Sequence, residues 1–287
     1  VLLTFIWGST WLVIRDQLGT VPPVWSVTYR FTVAAAAMFA YARLTGASLR
    51  IGAEGHRLAL LFGIPQFFLN FNFVYQAEQH VTSGLVAVVF ALLMVPNALL
   101  GRIFLKHRIS AGFLLGSAIA MAGIALLFVQ EMRTSDVPAS EIWIGIGLTI
   151  CGVLSASVSN VLQASQRLRS RPIASMLAWG MLYGVLADAA FALLTAGPPV
   201  VETRPAYLGG ILYLGLAASA LAFPLYFGII RAVGPAKAAY NSLLVPIIAM
   251  ALSTIFEHYV WSPLAISGGL LALAGLFIAL RERSPAR

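Results

Sequence analysis

GLVAVVFALLMVPNALLGRIFLKHRISAGFLLGSAIAMAGIALL, residues 84–127, is the stretch that decides the fold. It holds two apolar spans joined by a short basic loop, and Pro96 lies inside the first span. A weaker copy, GPAKAAYNSLLVPIIAMALSTIFEHYVWSPLAISGGLLALAGLFIAL, covers residues 234–280 and has Pro246 at the matching place. The two prolines are 150 residues apart, and two glycine pairs and an Ile-Phe pair recur at a spacing of 152. Because repetition at a fixed period indicates duplication, we expect two copies of one structural unit.

The composition is that of a membrane protein. Apolar residues make up 60% of the 287 residues and charged residues only 10%, and the mean hydropathy is +0.90. In soluble proteins about a quarter of the residues are charged. Here the charges are bunched, which leaves apolar runs of roughly twenty residues, the length of a helix that crosses a bilayer with its backbone bonded internally. We therefore predict an all-α, polytopic membrane protein.

The hydropathy pattern predicts ten transmembrane spans. They cover about residues 1–14, 24–42, 58–77, 81–105, 111–129, 142–163, 173–196, 206–229, 235–256 and 263–280. Each repeat unit holds five spans, an odd number, so the second copy must be inverted in the membrane relative to the first. We predict an inverted repeat of five plus five helices, with a first unit at residues 1–133, an external linker at 134–141 and a second unit at 142–287. Because the chain begins with Val1 and span 1 is short, we expect a few residues before it.

Lysine and arginine are distributed unevenly over the loops. Fourteen of the 18 lie after spans 2, 4, 6 and 8 or in the C-terminal tail, three lie after the odd-numbered spans, and Arg30 lies inside span 2. The positive-inside rule therefore places both termini in the cytoplasm. The net charge of +8 then faces anionic lipid of the inner leaflet, and no nucleic-acid partner is expected.

Together with these spans, several short motifs indicate a family. They are the WGST run at residues 7–10, Tyr29-Arg30-Phe31 early in span 2, the proline of span 4 with the basic loop behind it, and the glycine-rich spans 5 and 10. In these features the chain resembles the ten-span EamA-type exporters of the drug/metabolite transporter superfamily, and most of all their amino-acid and aromatic-amino-acid exporters. The resemblance implies a secondary transporter of the cell inner membrane that exports small metabolites by alternating access.

One position departs from the family pattern. Members typically carry a Glu just after span 4, where this chain reads Lys106-His107-Arg108. Glu257 lies near the matching place after span 9. The resemblance therefore does not carry the role of this Glu over to the first half of this chain.

We expect a substrate cavity near the bilayer midplane, between the two repeats. Aromatic rings in its wall would hold the side chain of the substrate, and amides and hydroxyls its polar ends. No cation or anion hole is evident, which favours a zwitterion or a neutral solute over a phosphorylated one. The candidate substrate-binding residues are Trp7, Trp11, Asn70, Tyr75, Gln76, Asn97, Ser155, Ser159, Gln163, Tyr240 and Asn241.

Two groups of these candidates have a second interpretation. Trp7 and Trp11 lie four residues apart, on one side of span 1, and either stack on a substrate or belong to an interfacial aromatic belt. Ser155, Ser159 and Gln163 form a polar stripe along span 6. That stripe either lines the cavity or serves close helix packing and bonds within the helix.

Span 3 has faces rich in amide side chains, and span 8 has a face rich in aromatic side chains. The amides of span 3 form two stripes, one with Gln66 and Asn70 and one that begins at Asn72. One stripe faces the cavity and the other bonds neighbouring helices, and the sequence does not tell which is which. Span 8 has Phe223 and Tyr226 on one face, which we interpret as packing.

Prolines and charges within the spans are further candidates. Pro96 and Pro246 each remove a backbone hydrogen bond and favour a kink, so we interpret the pair as hinges, with static kinks as the alternative. The intramembrane charges are Arg30 and Asp188. The resemblance implies a structural anchor for Arg30, and Asp188 is either its partner or a proton site.

Signatures of other functions are missing from the sequence. It contains no HExxH, GxSxG or phosphate-binding loop, no Cys/His cluster with metal spacing, and a single cysteine, Cys151. We predict a protein that is not an enzyme and needs no metal or cofactor, with the lipid bilayer and a small-molecule substrate as its partners. A homodimer is compatible with the sequence but not required. The alternatives are a channel-like facilitator of neutral solutes and an intramembrane enzyme or lipid-handling protein.

Overall fold

A computed structural model describes residues 2–106, 108–134, 138–233, 238, 241–259 and 261–281. Within these ranges the regular structure is helical, without strands, and ten long helices follow one another as the sequence predicts. A single helical turn, Gln166–Arg169, follows the sixth helix. The helices are α1 (Leu2–Asp16), α2 (Pro23–Leu44), α3 (Gly52–Ala77), α4 (Ser83–Leu105), α5 (Ala111–Thr134), α6 (Ala139–Ala164), α7 (Ile173–Thr195), α8 (Pro205–Ala232), α9 (Asn241–Phe256) and α10 (Pro263–Arg281).

The helices have the length and surface of membrane spans. Among the described residues, the six helices α3 to α8 are long and apolar enough to cross a bilayer, and α9 and α10 contain shorter apolar helices, Val245–Phe256 and Pro263–Ala279. Large apolar side chains are exposed over the outside of the bundle, up to 87% for Leu44. A soluble monomer rarely exposes a contiguous apolar surface of this kind. The fold is that of a polytopic membrane protein.

Three of the described helices contain a non-α segment. α3 has a π-helical segment at Ile64–Leu69, and α8 has one at Tyr213–Leu221. α4 tightens into a 3-10 turn at Ala91–Leu93, just ahead of Pro96. Because proline has no N–H, it leaves a carbonyl group of the preceding turn without its usual partner, and the helix adjusts there. The two π segments lie in helices that the repeat makes equivalent.

Helices α1 to α5 correspond in order to helices α6 to α10. Contacts between two helices recur between their two counterparts. α1 packs on α9 as α6 packs on α4, and α3 packs on α7 as α8 packs on α2. Two pairs of counterparts pack directly on each other, namely α2 with α7 and α5 with α10. This is the pattern of two five-helix units related by a twofold axis.

α5 and α10 lie in backbone contact with each other. A Cβ atom added at Gly116 would meet the backbone of Ala279, and one added at Gly275 would meet the backbone of Ala120. Small residues permit this close approach, which provides van der Waals contact where the hydrophobic effect between helices is weak. As the sequence predicts, these are packing helices, and the glycine face of each one is covered by the other.

Ion pairs connect the helix ends on the side that the charge distribution assigns to the exterior. Arg15 at the end of α1 faces Glu257 behind α9, with 3.8 Å between Nε and Oε1. The hydroxyl of Ser83, at the start of α4, donates to the same carboxylate at 2.5 Å. Arg204, ahead of α8, pairs with Asp16 at 3.0 Å. These contacts tie α1, α4, α8 and α9 together at one end of the bundle.

Glu78 follows directly on the last residue of α3 and is completely buried. Among the described residues, neither of its carboxylate oxygens has a hydrogen-bond partner. Burial raises the pKa of Glu78 well above its ordinary value, and the nearby Glu257 adds to this, whereas Arg15 and Arg30 act in the opposite direction. Such a site favours the neutral, protonated form of the carboxyl group over the charged one.

The backbone contact between α5 and α10 predicts a stability difference between two glycines of α10. Gly275→Val lowers the free energy of unfolding by about 1–3 kcal/mol, because its side chain is forced into the backbone of α5. Gly269→Val is the matched control, since a Cβ atom at Gly269 meets nothing within 4 Å. Thermal unfolding of the purified protein in detergent measures both, and equal melting temperatures for the two variants would contradict the contact.

The burial of Glu78 predicts a pH dependence of stability. Because its pKa is raised in the folded state, its contribution is fully present below the ordinary pKa of a glutamate and is lost as the pH rises through the raised pKa. Thermal stability in detergent should therefore fall with rising pH across this window, and Glu78→Gln should flatten the fall. Glu54→Gln, which removes a largely exposed carboxylate, is the control and should leave the slope as it is.

Candidate functional site

A cavity of about 100 Å³ lies in the bundle, with α1, α3, α4, α6, α8 and α9 around it. The arginine of α2 reaches its wall as well. A space of this size holds several water molecules or part of a small solute. Because both five-helix units contribute helices to the wall, the cavity lies between them.

Aromatic rings form much of this wall. Trp7 contacts Tyr226 edge to face, with 4.8 Å between the ring centroids, and Phe223 at 5.8 Å. Trp11 lies 5.4 Å from Phe90. All five side chains border the cavity. Trp7 and Trp11 thus both line the cavity, as predicted from their spacing. Phe223 and Tyr226 of α8, which the sequence analysis interpreted as packing residues, line it as well.

Four polar atoms of the wall have no hydrogen-bond partner among the described residues. Two are N–H donors, Trp11 Nε1 and Arg30 Nη1, and two are acceptors, Gln66 Oε1 and Asn70 Oδ1. All four side chains are more than nine-tenths buried. An unpaired polar group away from water costs free energy, so a bound molecule that reached these atoms would gain by pairing with them.

The surroundings of Arg30 decide against one of the two alternatives for Asp188. Its Nε donates to the hydroxyl of Ser219 at 3.1 Å, and its Cζ lies 4.3 Å from the ring centroid of Phe71. Asp188 is not its partner, because Asp188 Oδ1 accepts a hydrogen bond from Asn72 Nδ2 at 2.5 Å. The Asp188 side chain is directed at α3, whereas Arg30 is directed at α8 and the cavity.

The two amide stripes of α3 now have separate roles. Gln66 and Asn70 line the cavity. Asn72, the first residue of the second stripe, bonds Asp188 of α7 instead. Tyr75 and Gln76 do not lie in the cavity wall. Tyr75 is completely buried, and its hydroxyl donates to Gln17 Oε1 at 3.0 Å. As substrate-binding residues, Tyr75 and Gln76 are therefore not supported by the geometry.

α6 reaches the cavity through Ala156 and Asn160. The amide of Asn160 donates to Asn97 Oδ1 of α4 at 3.5 Å. Asn97 is buried but does not belong to the wall itself. It therefore lies one hydrogen bond behind the cavity, where it positions Asn160.

The three candidates of the α6 stripe lie off the wall. The hydroxyl of Ser155 donates to the carbonyl of Cys151 in its own helix at 2.8 Å. Ser159 is completely buried between helices. Gln163 Oε1 accepts from Arg231 of α8 at 3.0 Å. Of the three, Gln163 joins α6 to another helix, Ser155 bonds within its own helix, and Ser159 Oγ has no partner among the described residues. Helical period fixes which residues share a face but not which neighbour covers it.

The remaining candidates lie in α4 and α9. Tyr240 and the side chain of Asn241 lie outside the described residues. Pro246 lines the cavity, and Pro96 follows the 3-10 turn of α4 without reaching the wall. The hinge role of the two prolines stays a prediction.

Sequence reasoning missed Arg30, Phe71, Phe223 and Tyr226 as members of the wall. Arg30 starts from α2, which is otherwise absent from the cavity, and only its long side chain extends there. The sequence analysis named it as an intramembrane charge, but the resemblance gave it a structural role. Nothing in the pattern of α8 separates a ring that packs from a ring that borders a cavity.

Comparisons with known proteins agree with this architecture. The model of the EamA-like transporter family matches the chain twice, at residues 1–129 and 143–281. The chain is 25% identical to a probable amino-acid metabolite efflux pump of Salmonella typhimurium, over 100% of this chain and 96% of that protein. It is 30% identical to the uncharacterized inner membrane transporter YedA of Escherichia coli K12, over 88% of this chain and 79% of that protein.

A solved crystal structure has the same fold, with a TM-score of 0.74 at 19% identity over 97% of this chain and 93% of that chain. The two matches to the family model fall on the two halves of the chain and together span nearly all of it. The chain belongs to the EamA-like transporter family.

Proposed function

We propose that this protein is a secondary transporter of the inner membrane that exports small metabolites, amino acids including aromatic ones among them. The observation that carries the proposal is the cavity between the two units, where aromatic rings surround unpaired donors and acceptors. A free amino acid presents an acceptor group and a donor group at one end and an apolar or aromatic group at the other. The names of relatives, one an amino-acid metabolite efflux pump and one an inner membrane transporter, support the same function.

The proposed mechanism is alternating access. The units at residues 1–133 and 142–287, joined by 134–141, tilt against each other about Pro96 and Pro246 and expose the cavity to one side at a time. Both termini lie in the cytoplasm. Opening to the exterior separates Arg15 from Glu257. The substrate gradient or an ion gradient drives the cycle.

Counterflow in proteoliposomes tests this function. Liposomes that contain the purified protein and are loaded with unlabelled L-phenylalanine should accumulate labelled L-phenylalanine from outside, with saturable initial rates. A carrier alternates between two states, so it exchanges substrate, whereas a channel-like facilitator shows neither saturation nor accelerated exchange. Flux no higher than that of empty liposomes, for a full panel of labelled amino acids, would refute amino-acid export.

Trp11 should contribute both its ring and its N–H group. Trp11→Phe keeps a ring beside Phe90 but loses the donor, and Trp11→Ala loses both. An aromatic contact and a hydrogen bond are each worth about 1 kcal/mol, so KM for L-phenylalanine should rise about fivefold in the first variant and more than about tenfold in the second.

Trp143→Phe is the matched control, because Trp143 is exposed on the outside of α6. All variants are compared at equal reconstituted amount. A KM unchanged in Trp11→Ala would remove Trp11 from the substrate site.

A further inference from the structure

Arg30 has unused hydrogen-bonding capacity. Its guanidinium carries five N–H donors, and the side chain is only 1% exposed. Nε is bonded to Ser219, but among the described residues Nη1 has no partner. A purely structural anchor would spend its donors on carbonyl groups or on a carboxylate of the protein. The geometry of Arg30 leaves a charged donor beside the cavity instead.

The acidic groups near Arg30 do not neutralise it. The described groups that act on its charge are the hydroxyl of Tyr75, which is also a side-chain hydrogen-bond partner, the carboxyl of Glu78 and the hydroxyl of Tyr213. Tyr75 uses its proton on Gln17, and Glu78 is completely buried, with a pKa that burial raises well above the ordinary value. Asp188 is bonded to Asn72. The positive charge of Arg30 is therefore left for a ligand.

The cavity wall is asymmetric in charge. Of the described residues that line it, Arg30 is the single charged one. The unpaired acceptors of the wall are the neutral amide oxygens of Gln66 and Asn70. A carboxylate can therefore form a charge-assisted hydrogen bond with Arg30 Nη1, whereas an ammonium group meets only neutral oxygens and aromatic rings.

We propose that Arg30 is the carboxylate-binding residue of the transport site, and that the substrates are apolar or aromatic carboxylates that need the carboxylate but not the amino group. This rests on the proposed function. Phe71 holds the guanidinium from its ring face, and Ser219 holds it through Nε, so that Nη1 is presented to the ligand. Trp11 Nε1 is a second unpaired donor in the same cavity wall.

Three small molecules separate the contributions of the two polar groups. L-phenylalanine carries both groups, 3-phenylpropionate lacks the amino group, and phenethylamine lacks the carboxylate. Binding to the unmodified protein in detergent is followed through quenching of tryptophan fluorescence and through thermal stabilisation. We expect 3-phenylpropionate to bind within about tenfold of L-phenylalanine, and phenethylamine to bind at least about tenfold more weakly than either, as loss of a charge-assisted pair requires.

Variants of Arg30 complete the experiment. Arg30→Gln should lower the affinity for both carboxylates to that for phenethylamine, so that the discrimination disappears, and Arg30→Lys should retain part of it. Arg133→Gln, at an exposed arginine of α5, is the matched control for loss of one positive charge and should bind all three as the unmodified protein does. If Arg30→Gln does not fold, the ligand series and Arg30→Lys decide.

The outcomes keep this proposal apart from the proposed function. Phenethylamine binding as tightly as 3-phenylpropionate, or discrimination that survives in Arg30→Gln, overturns the carboxylate site even if counterflow of amino acids is observed. Failure of all three molecules to bind overturns it as well. Binding of both carboxylates, without counterflow of any amino acid, supports the carboxylate site and overturns amino-acid export.

Discussion

Polar side chains within this bundle must find their partners inside the protein, because the hydrocarbon around it offers none. Most of them do. Asn72 bonds Asp188, Tyr75 bonds Gln17, and Gln163 bonds Arg231, each between different helices or segments. These pairs fix the rotation of the helices about their axes. Four atoms that stay unpaired among the described residues belong to side chains of the cavity wall and give the cavity its chemistry, while others, such as the Glu78 carboxyl oxygens, lie elsewhere.

The fold could be read from the sequence to a large extent. Long apolar runs are nearly unambiguous, since a bilayer demands helices of a minimum length, and duplication can be recognised from spacing alone. The glycines of α5 and α10 also indicated close packing, because small residues at helical spacing have few other uses in a membrane. The irregular turns in α3, α4 and α8 were not foreseen, since they depend on how each helix meets its neighbours.

The site could be read only in part. Trp7, Trp11 and Asn70 lie in the wall, while Tyr75, Ser155 and Gln163 do not. The helical period assigns residues to faces, but the position of the neighbouring helices decides whether a face lines the cavity.

Arg30 illustrates a different limit. Its backbone lies in a helix whose other residues pack against α7 and α8, and only the length of the side chain brings the guanidinium to the cavity. Assigning whole helices to the cavity therefore overlooks Arg30. The free-energy cost of burying an unpaired charge in a membrane points to it instead.

The contact between α5 and α10, like that between α2 and α7, joins a helix to its own counterpart. Such self-complementary contacts are called isologous and are the hallmark of symmetric dimers. The single chain thus has the geometry of a dimer whose two subunits were inserted in opposite senses and then fused. The segment between α5 and α6 makes that association intramolecular. The effective concentration of one half around the other is therefore fixed by the linker, whereas for two separate subunits it would depend on how much of each is made.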